Sequence, residues 1–180
     1  MSIEAIRAEV AALRRRFPYA DAEEICDALK IGVMELPMGD SPEACKGFFI
    51  RKARIKKIVI NSCLPDEHRH VILPHELGHG VLHGKTEREC AFHDFALFDD
   101  TAVAEYEANI FVAEFLLRDE EVLDLLNDDM SFFRAAAVLQ VPPELLDFKF
   151  RVLKRQGYAI NPPLYSNSDF LKDIDRFDRF

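Results

Sequence analysis

Residues 74–79, Pro-His-Glu-Leu-Gly-His, decide which fold and which chemistry are expected of this chain. Residues four apart on an α-helix lie on the same face, so His75 and His79 can bind one metal ion while Glu76, between them, reaches a water molecule on that ion. The pattern predicts a metal-dependent hydrolase. The alternative is a structural helix with two hydrogen-bonded histidines and a surface glutamate, and a third metal ligand elsewhere in the chain would argue against it.

A candidate for the third ligand lies in residues 102–117, whose apolar periodicity predicts a long helix. On a helical wheel, Glu105 falls within the apolar face, whereas Glu107 and Glu114 fall roughly opposite to it. A buried carboxylate needs a cation, so we predict that Glu105 is the third ligand and that Asn109, one turn later, supports the site without binding the ion. The alternatives are a buried ion pair with an arginine and a register that leaves the glutamate exposed.

Length and composition limit the number of domains and the classes of partner. The 180 residues, 49% of them hydrophobic, suffice for one core, so we expect one domain over residues 1–158 and a C-terminal tail, residues 159–180, that is docked or flexible. The net charge of −9 would repel a phosphate backbone and offers no basic face to a membrane. We therefore expect a neutral or basic protein partner, with neither direct nucleic-acid nor membrane binding.

The cysteines and the N-terminal segment favour a cytoplasmic protein. Residues 1–17 carry charges throughout and have no continuous apolar core of a signal peptide, and no apolar run approaches the length of a membrane span. The cysteines are widely spaced without a C-x-x-C pair, so we expect four buried, reduced thiols. They are Cys26, Cys45, Cys63 and Cys90.

The periodicity predicts an α+β fold in which a small three-stranded sheet packs against a mainly helical body. Ser2, Asp21 and Thr101 are expected N-caps, and residues 85–100 are expected to form a loop or short turns in which Phe92, Phe95 and Phe98 line a cleft. Pro74 lacks an amide hydrogen, so the central helix must bend or begin afresh there. The predicted strands cover residues 31–36, 47–50 and 55–60, and the predicted helices cover residues 3–16, 22–29, 66–83, 102–117, 120–126, 131–139 and 142–156.

Two segments have features of nucleic-acid binding, but each has a simpler interpretation in an acidic chain. Residues 51–54 are basic, and we interpret them as the solvated tip of a hairpin. The last two helices, joined by residues 140–143, resemble a helix-turn-helix, yet their positive residues stand beside Glu144 and Asp147, which favours a packing unit. Those positive residues are Lys149, Arg151, Lys154 and Arg155.

Two longer motifs resemble the ImmA/IrrE family of bacterial metallopeptidases. Residues 75–83 read His-Glu-Leu-Gly-His-Gly-Val-Leu-His, and residues 105–117 read Glu-Tyr-Glu-Ala-Asn-Ile-Phe-Val-Ala-Glu-Phe-Leu-Leu. The resemblance covers roughly residues 20–155, and the E-x-E-A-N motif is more particular to the family than H-E-x-x-H, which is common to zincins. Pro74 stands where the family usually has Ala, and residues 118–119, Arg-Asp, stand where Met-Pro often follows.

The resemblance implies a zincin-like fold with a central H-E-x-x-H helix, in which His75, His79 and Glu105 bind the metal and Glu76 is the catalytic base. Asn109 occupies the position at which more distant thermolysin-like enzymes have Asp. The implied substrate is a helix-turn-helix repressor that silences a prophage, a mobile element or stress genes. The expected cofactor is Zn²⁺, although Mn²⁺ or Fe²⁺ could bind the same side chains.

The predicted reaction is peptide-bond hydrolysis by a water molecule that zinc acidifies to a pKa of about 7 and that Glu76 deprotonates. His83 is interpreted as structural, because the helix dipole stabilises a histidine in the last turn. Two other functions stay open, namely a catalytically silent protein that regulates a repressor by binding, and an iron(II) redox or oxygenase site. The candidates for stabilising the oxyanion are Tyr106, Tyr158, His83 and His93.

Overall fold

The computed structural model describes residues 1–41, 43–84, 89–94, 102–127 and 130–160, with residues 89–94 described by their backbone. The fold is α+β, as predicted. Its elements are α1 (Ile3–Arg16), α2 (Ala22–Ala28), β1 (Gly32–Leu36), β2 (Gly47–Lys52), β3 (Ile55–Asn61), α3 (Asp66–Leu82), β4 (Glu89–Asp94), α4 (Val103–Leu116), α5 (Asp119–Asn127), α6 (Phe132–Val138) and α7 (Pro143–Arg155).

The sheet contains the three predicted strands and a fourth, in the order β1-β3-β2-β4. β1 pairs with β3 in parallel, and β2 pairs with both β3 and β4 in antiparallel orientation. The loop prediction is therefore wrong for β4, because its sequence has no clear period and its conformation comes from backbone pairing along β2. Phe92 lies in β4, whereas Phe95 and Phe98 lie outside the described residues.

Local capping explains why the first two helices begin where the sequence predicts. The Ser2 hydroxyl accepts a hydrogen bond from the Ala5 amide at 3.2 Å, and Asp21 and Glu24 form a reciprocal capping box. The predicted cap of α4 is wrong, because the residue at its N-cap position is Ala102, which makes no side-chain capping bond.

α3 is the central element and runs from Asp66 to Leu82 with Pro74 inside it. A fresh helix start at Pro74 is therefore wrong, and the alternative, a bend, stays a prediction. Proline removes one helical hydrogen bond, and the burial of Val71, Ile72 and Leu77 offsets this loss. α3 packs against β2 and β3 on one side and against α4 on the other.

From residue 107 to residue 113, α4 is buried on all sides, whereas the helical wheel predicted one apolar face. Its buried residues include Glu107 and Asn109 as well as Ile110, Phe111 and Val112. The helix contacts α1, α3 and α7. Because other helices surround α4, the carboxylates on the side opposite to Glu105 also need charged or hydrogen-bonding partners.

A buried asparagine, Asn61, holds the segment between β1 and β2 by hydrogen bonds. The Asn61 carbonyl oxygen accepts hydrogen bonds from the amides of Met38 and Cys63, both at 3.0 Å. Its amide group donates to the carbonyl oxygens of Gly39, at 2.7 Å, and Cys45, at 3.0 Å. These bonds fix the path by which the chain enters β2 at Gly47.

Several surface predictions need correction. Cys26 is buried, but Cys45 is half-buried and Cys63 is exposed, so the prediction of four buried thiols is wrong. Lys52 and Arg54 are exposed as expected of a solvated hairpin tip, whereas Arg51 is half-buried and donates to the carbonyl oxygen of Gly84 at the end of α3. The tail beyond residue 160 lies outside the described residues, and the domain boundary at residue 158 stays a prediction.

Within the described ranges, no helix combines the length and the apolar character needed to span a membrane.

Candidate metal centre

α3 and α4 bring His75, His79 and Glu105 together, as predicted. The Nε2 atoms of His75 and His79 lie 3.2 Å apart. The Oε2 atom of Glu105 lies 3.2 Å from Nε2 of His75 and 3.3 Å from Nε2 of His79. The helical repeat places the two histidines on one face of α3, and the packing of α4 against that face adds the carboxylate.

The spacing of these three atoms fits a zinc ion. Ligands at about 2.0–2.1 Å from a tetrahedral centre lie about 3.3–3.4 Å from one another, close to the separations of 3.2 and 3.3 Å observed here. Two imidazole nitrogens and a carboxylate oxygen are also a common donor set for catalytic zinc, in which the fourth position is left for water or substrate. The three side chains could therefore hold zinc with one open position.

Burial and mutual hydrogen bonding set the protonation of the group. Burial lowers the pKa of His79 to about 4, so its imidazole is neutral at pH 7. Burial alone would raise the pKa of the Glu105 carboxyl, but hydrogen bonds from His75 and His79 outweigh it and hold that pKa well below its usual range. Neutral imidazoles and an ionised carboxylate are the forms that bind a metal ion.

Glu76 and Asn109 are both fully buried. Glu76 follows His75 directly in the sequence. Glu76 lies on α3 and faces the start of β2, where a Cβ atom placed on Gly47 would lie 3.2 Å from its Oε1 atom. The absence of a side chain at Gly47 therefore leaves space for the carboxylate. Asn109 lies one turn after Glu105 on α4. The roles assigned to Glu76 and Asn109 stay predictions.

The structure adds two residues to the surroundings of the centre. His83, the C-cap residue of α3, has its Nδ1 atom 3.3 Å from Nδ1 of His79. Its Nε2 atom lies 2.9 Å from Oε2 of Glu107, and Oε1 of Glu107 contacts the amino group of Met1. Burial lowers the pKa of His83. The spacing of four residues between His79 and His83 could have signalled this contact, but nothing in the wheel of α4 indicated Glu107.

For the other three oxyanion candidates, no contact with His79 like that of His83 is described. The ring of Tyr106 packs against Phe148 with 6.0 Å between the ring centroids, and Tyr158 is 44% exposed. The side chain of His93 lies outside the described residues.

The family model Peptidase_M78, described as the IrrE N-terminal-like domain, matches residues 26–151. The chain belongs to this family. The match contains the H-E-x-x-H helix and Glu105, so the resemblance to the ImmA/IrrE metallopeptidases is confirmed.

A relative of this Peptidase_M78 chain comes from Bacillus phage phi105, where it bears the description "Uncharacterized immunity region protein 2". It is 32% identical over 144 residues, which cover 80% of this chain and 88% of the phage protein. The alignment therefore extends over most of the length of the phage protein.

Proposed function

We propose that the protein is a zinc-dependent endopeptidase that cleaves a protein substrate. The observation that carries this proposal is the triangle of His75 Nε2, His79 Nε2 and Glu105 Oε2, with sides of 3.2 and 3.3 Å. These separations are those expected of three ligand atoms bound to one small ion. Two histidines and one glutamate are also a ligand set of hydrolytic zinc sites. Membership in a peptidase family supports the same conclusion.

In the proposed reaction, residues of α3 and α4 bind the metal ion, and a residue of α3 transfers the proton. His75, His79 and Glu105 would hold the ion, which supplies a more acidic water and a polarised peptide carbonyl. Glu76, in the same helical turn as the first histidine, would accept the proton of that water and donate it to the departing amine. Its burial keeps bulk water away from this proton transfer, and Gly47 leaves the space beside its carboxylate.

The proposed substrate is a helix-turn-helix repressor. The phage relative is described as an immunity-region protein, and the resemblance to ImmA/IrrE proteins implies repressor cleavage. The net charge of −9 also favours association with the basic surface of a DNA-binding protein. The reaction would take place in the cytoplasm, where a repressor binds DNA.

The test is incubation of the purified, zinc-loaded protein with helix-turn-helix repressors encoded in the same genome, those of neighbouring genes first, followed by intact-mass measurement of the products. Wild-type protein is expected to bind about one zinc ion per chain and to cut the repressor. Glu76→Gln is expected to keep the zinc and to lose cleavage by at least about 100-fold, because it removes the proton acceptor without removing a ligand. An unchanged rate in Glu76→Gln would show that Glu76 is not the base.

His79→Ala tests the metal site and is compared with Glu76→Gln, because it replaces a proposed metal ligand in the same helix. It is expected to lose both zinc and cleavage. Full zinc occupancy after replacement of both His79 and Glu105 would refute the site. A wild-type protein that binds the repressor and zinc but never cuts would instead support the catalytically silent alternative.

A further inference from the structure

The hairpin that joins β2 and β3 carries a concentration of positive charge. Five of the seven residues 51–57, Arg-Lys-Ala-Arg-Ile-Lys-Lys, are basic and none is acidic, although the whole chain has a net charge of −9. We call these seven residues the basic tip. Lys52, Arg54 and Lys57 are exposed to solvent, and the side chain of Ile55 is 63% exposed. The basic tip therefore presents both cations and an apolar side chain to a partner.

The strand register places like charges together in the basic tip. Arg51 is the register partner of Lys56, and like charges directly opposite each other on neighbouring strands destabilise a sheet. A local cost of this kind is typical of a functional surface. Lys52 lies opposite Ile55, and Lys57 lies on the same face as Ile55 because side chains alternate along a strand. One face of the tip thus presents two lysines beside an exposed isoleucine.

Acidic side chains of the described residues do not neutralise the basic tip. None of the register partners of Lys56 and Lys57 is acidic. Glu89 of β4 is the register partner of Lys52, and its side chain lies outside the described residues. In the described part of the chain, the arginines and lysines that form ion pairs are Arg7, Arg69, Arg118, Lys149, Arg151 and Arg155.

The basic tip is tied to the end of α3 that carries the proposed metal centre. The guanidinium group of Arg51 donates to the carbonyl oxygen of Gly84. The Gly84 amide in turn donates to the carbonyl oxygen of His79 at 3.0 Å. Two hydrogen bonds therefore link the tip to a residue that supplies a proposed metal ligand. A substrate segment bound at the tip would lie only a short way along the substrate chain from the bond held at the metal.

We infer that the basic tip is a docking site for an acidic segment of the protein substrate, with an apolar residue of that segment against Ile55. This inference rests on the proposed function, because it concerns the substrate of the same site. Five cations also attract a phosphate backbone, but duplex DNA extends beyond a hairpin tip and would meet the acidic remainder of the chain, which repels it. A short acidic peptide covers the tip alone. An acidic body with a basic tip also fixes the orientation of a substrate that carries both charges, because charge complementarity determines specificity.

The first test is the fluorescence anisotropy of a labelled peptide of alternating Glu and Leu residues, titrated with the full-length protein. A peptide of alternating Gln and Leu and a duplex DNA serve as comparison probes. The protein carries Glu76→Gln, so that hydrolysis of the peptide does not interfere. At low ionic strength we expect the acidic peptide to bind at least about 10-fold more tightly than the neutral one, and salt should weaken it. Equal binding of the two peptides, or tighter binding of the DNA than of the acidic peptide, would overturn the inference.

Charge reversal tests whether the basic tip itself is responsible. Arg54→Glu combined with Lys57→Glu should weaken binding of the acidic peptide by about 10-fold or more. The matched control is Arg15→Glu combined with Lys154→Glu, which changes the net charge equally at exposed positions of α1 and α7 and should stay within about twofold. Equal losses in the two double variants would show that only net charge matters, and the inference would fail. If the reversed tip does not fold, Arg54→Gln with Lys57→Gln should give a smaller loss in the same direction.

Cleavage of a repressor provides a second readout. Charge reversal at the tip, in the protein that retains Glu76, should raise KM for the repressor by at least about fivefold, because it removes binding of the substrate. An unchanged KM would show that the tip does not dock the substrate. Failure of the proposed function is distinguishable, because a protein that never cuts a repressor can still bind the acidic peptide through the tip, and a peptidase can cut a repressor without using the tip.

Discussion

The burial of His79 makes the stability of the metal-free protein depend on pH. An unfolded histidine has a pKa of about 6.5, whereas burial lowers that of His79 to about 4. Between these values the unfolded chain binds more protons than the folded chain, so the free energy of unfolding rises with pH in this range. The contribution of His79 is therefore fully present above about pH 6.5 and falls as the pH is lowered towards about 4.

We predict that His79→Gln flattens this dependence. Urea unfolding of the metal-free protein at several pH values should show a smaller loss of stability from neutral to acidic pH in the variant than in the wild type, because glutamine takes up no proton. His70→Gln is the control, since His70 is exposed and should leave the slope as it is. Identical slopes for wild type and His79→Gln would show that His79 is not held neutral by burial.

At the level of elements, the centre depends on how closely α3 approaches its neighbours. A Cβ atom on Gly78 would lie 2.9 Å from the ring of Phe111 in α4, and one on Gly80 would lie 3.0 Å from the ring of Phe49 in β2. Such distances are shorter than ordinary contacts, so the glycines allow α3 to lie close to both elements. The approach of α4 is what brings Glu105 to the histidines of α3.

We predict that Gly47→Ala destabilises the protein by about 1–3 kcal/mol through overpacking. The added Cβ would lie 2.7 Å from Cγ2 of Ile72 and 3.2 Å from both the Val59 carbonyl oxygen and Oε1 of Glu76. Thermal and urea unfolding measure the loss, and cleavage should also fall because the new methyl group displaces Glu76.

Gly32→Ala is the matched control, because Gly32 likewise begins a strand but its added Cβ would meet nothing closer than 3.8 Å. It should change stability by no more than about 0.5 kcal/mol. If both substitutions were equally mild, the contact between Gly47 and α3 would not be close-packed.

At the level of the whole molecule, four helices are joined by a partly buried cluster of charges. Lys149 of α7, 1% exposed, pairs with Glu114 of α4 at 2.5 Å and with Asp119 of α5. Arg7 of α1 reaches the same two carboxylates at 2.9 and 2.8 Å. Lys149 is one of the positive residues in the segment that resembles a helix-turn-helix, and its burial removes it from any surface that could contact DNA.

We predict that Lys149→Met destabilises the protein by about 3–5 kcal/mol, because it leaves two carboxylates with one cation fewer. The loss should appear as a lower urea midpoint with little change in slope. Lys154→Met, on the exposed side of α7, should change stability by no more than about 0.5 kcal/mol. A Lys149→Met variant as stable as the wild type would mean that the cluster contributes no net stability.

The sequence by itself determined the features that depend on neighbours along the chain. The helical repeat was sufficient to place His75 and His79 on one face of α3, and local caps at Ser2 and Asp21 were sufficient to start the first helices. These are interactions over at most one or two turns, so their pattern can be read from spacing alone.

Only the tertiary structure decided the features that depend on distant partners. β4 exists because β2 offers it a row of backbone donors and acceptors. Glu107 and Lys149 are buried because helices from other parts of the chain close around them. The spacing of residues along the chain does not predict such partners, because Arg7 and Glu114, for example, are 107 residues apart. A charged side chain at a given helical position is solvated or buried according to which element packs over it.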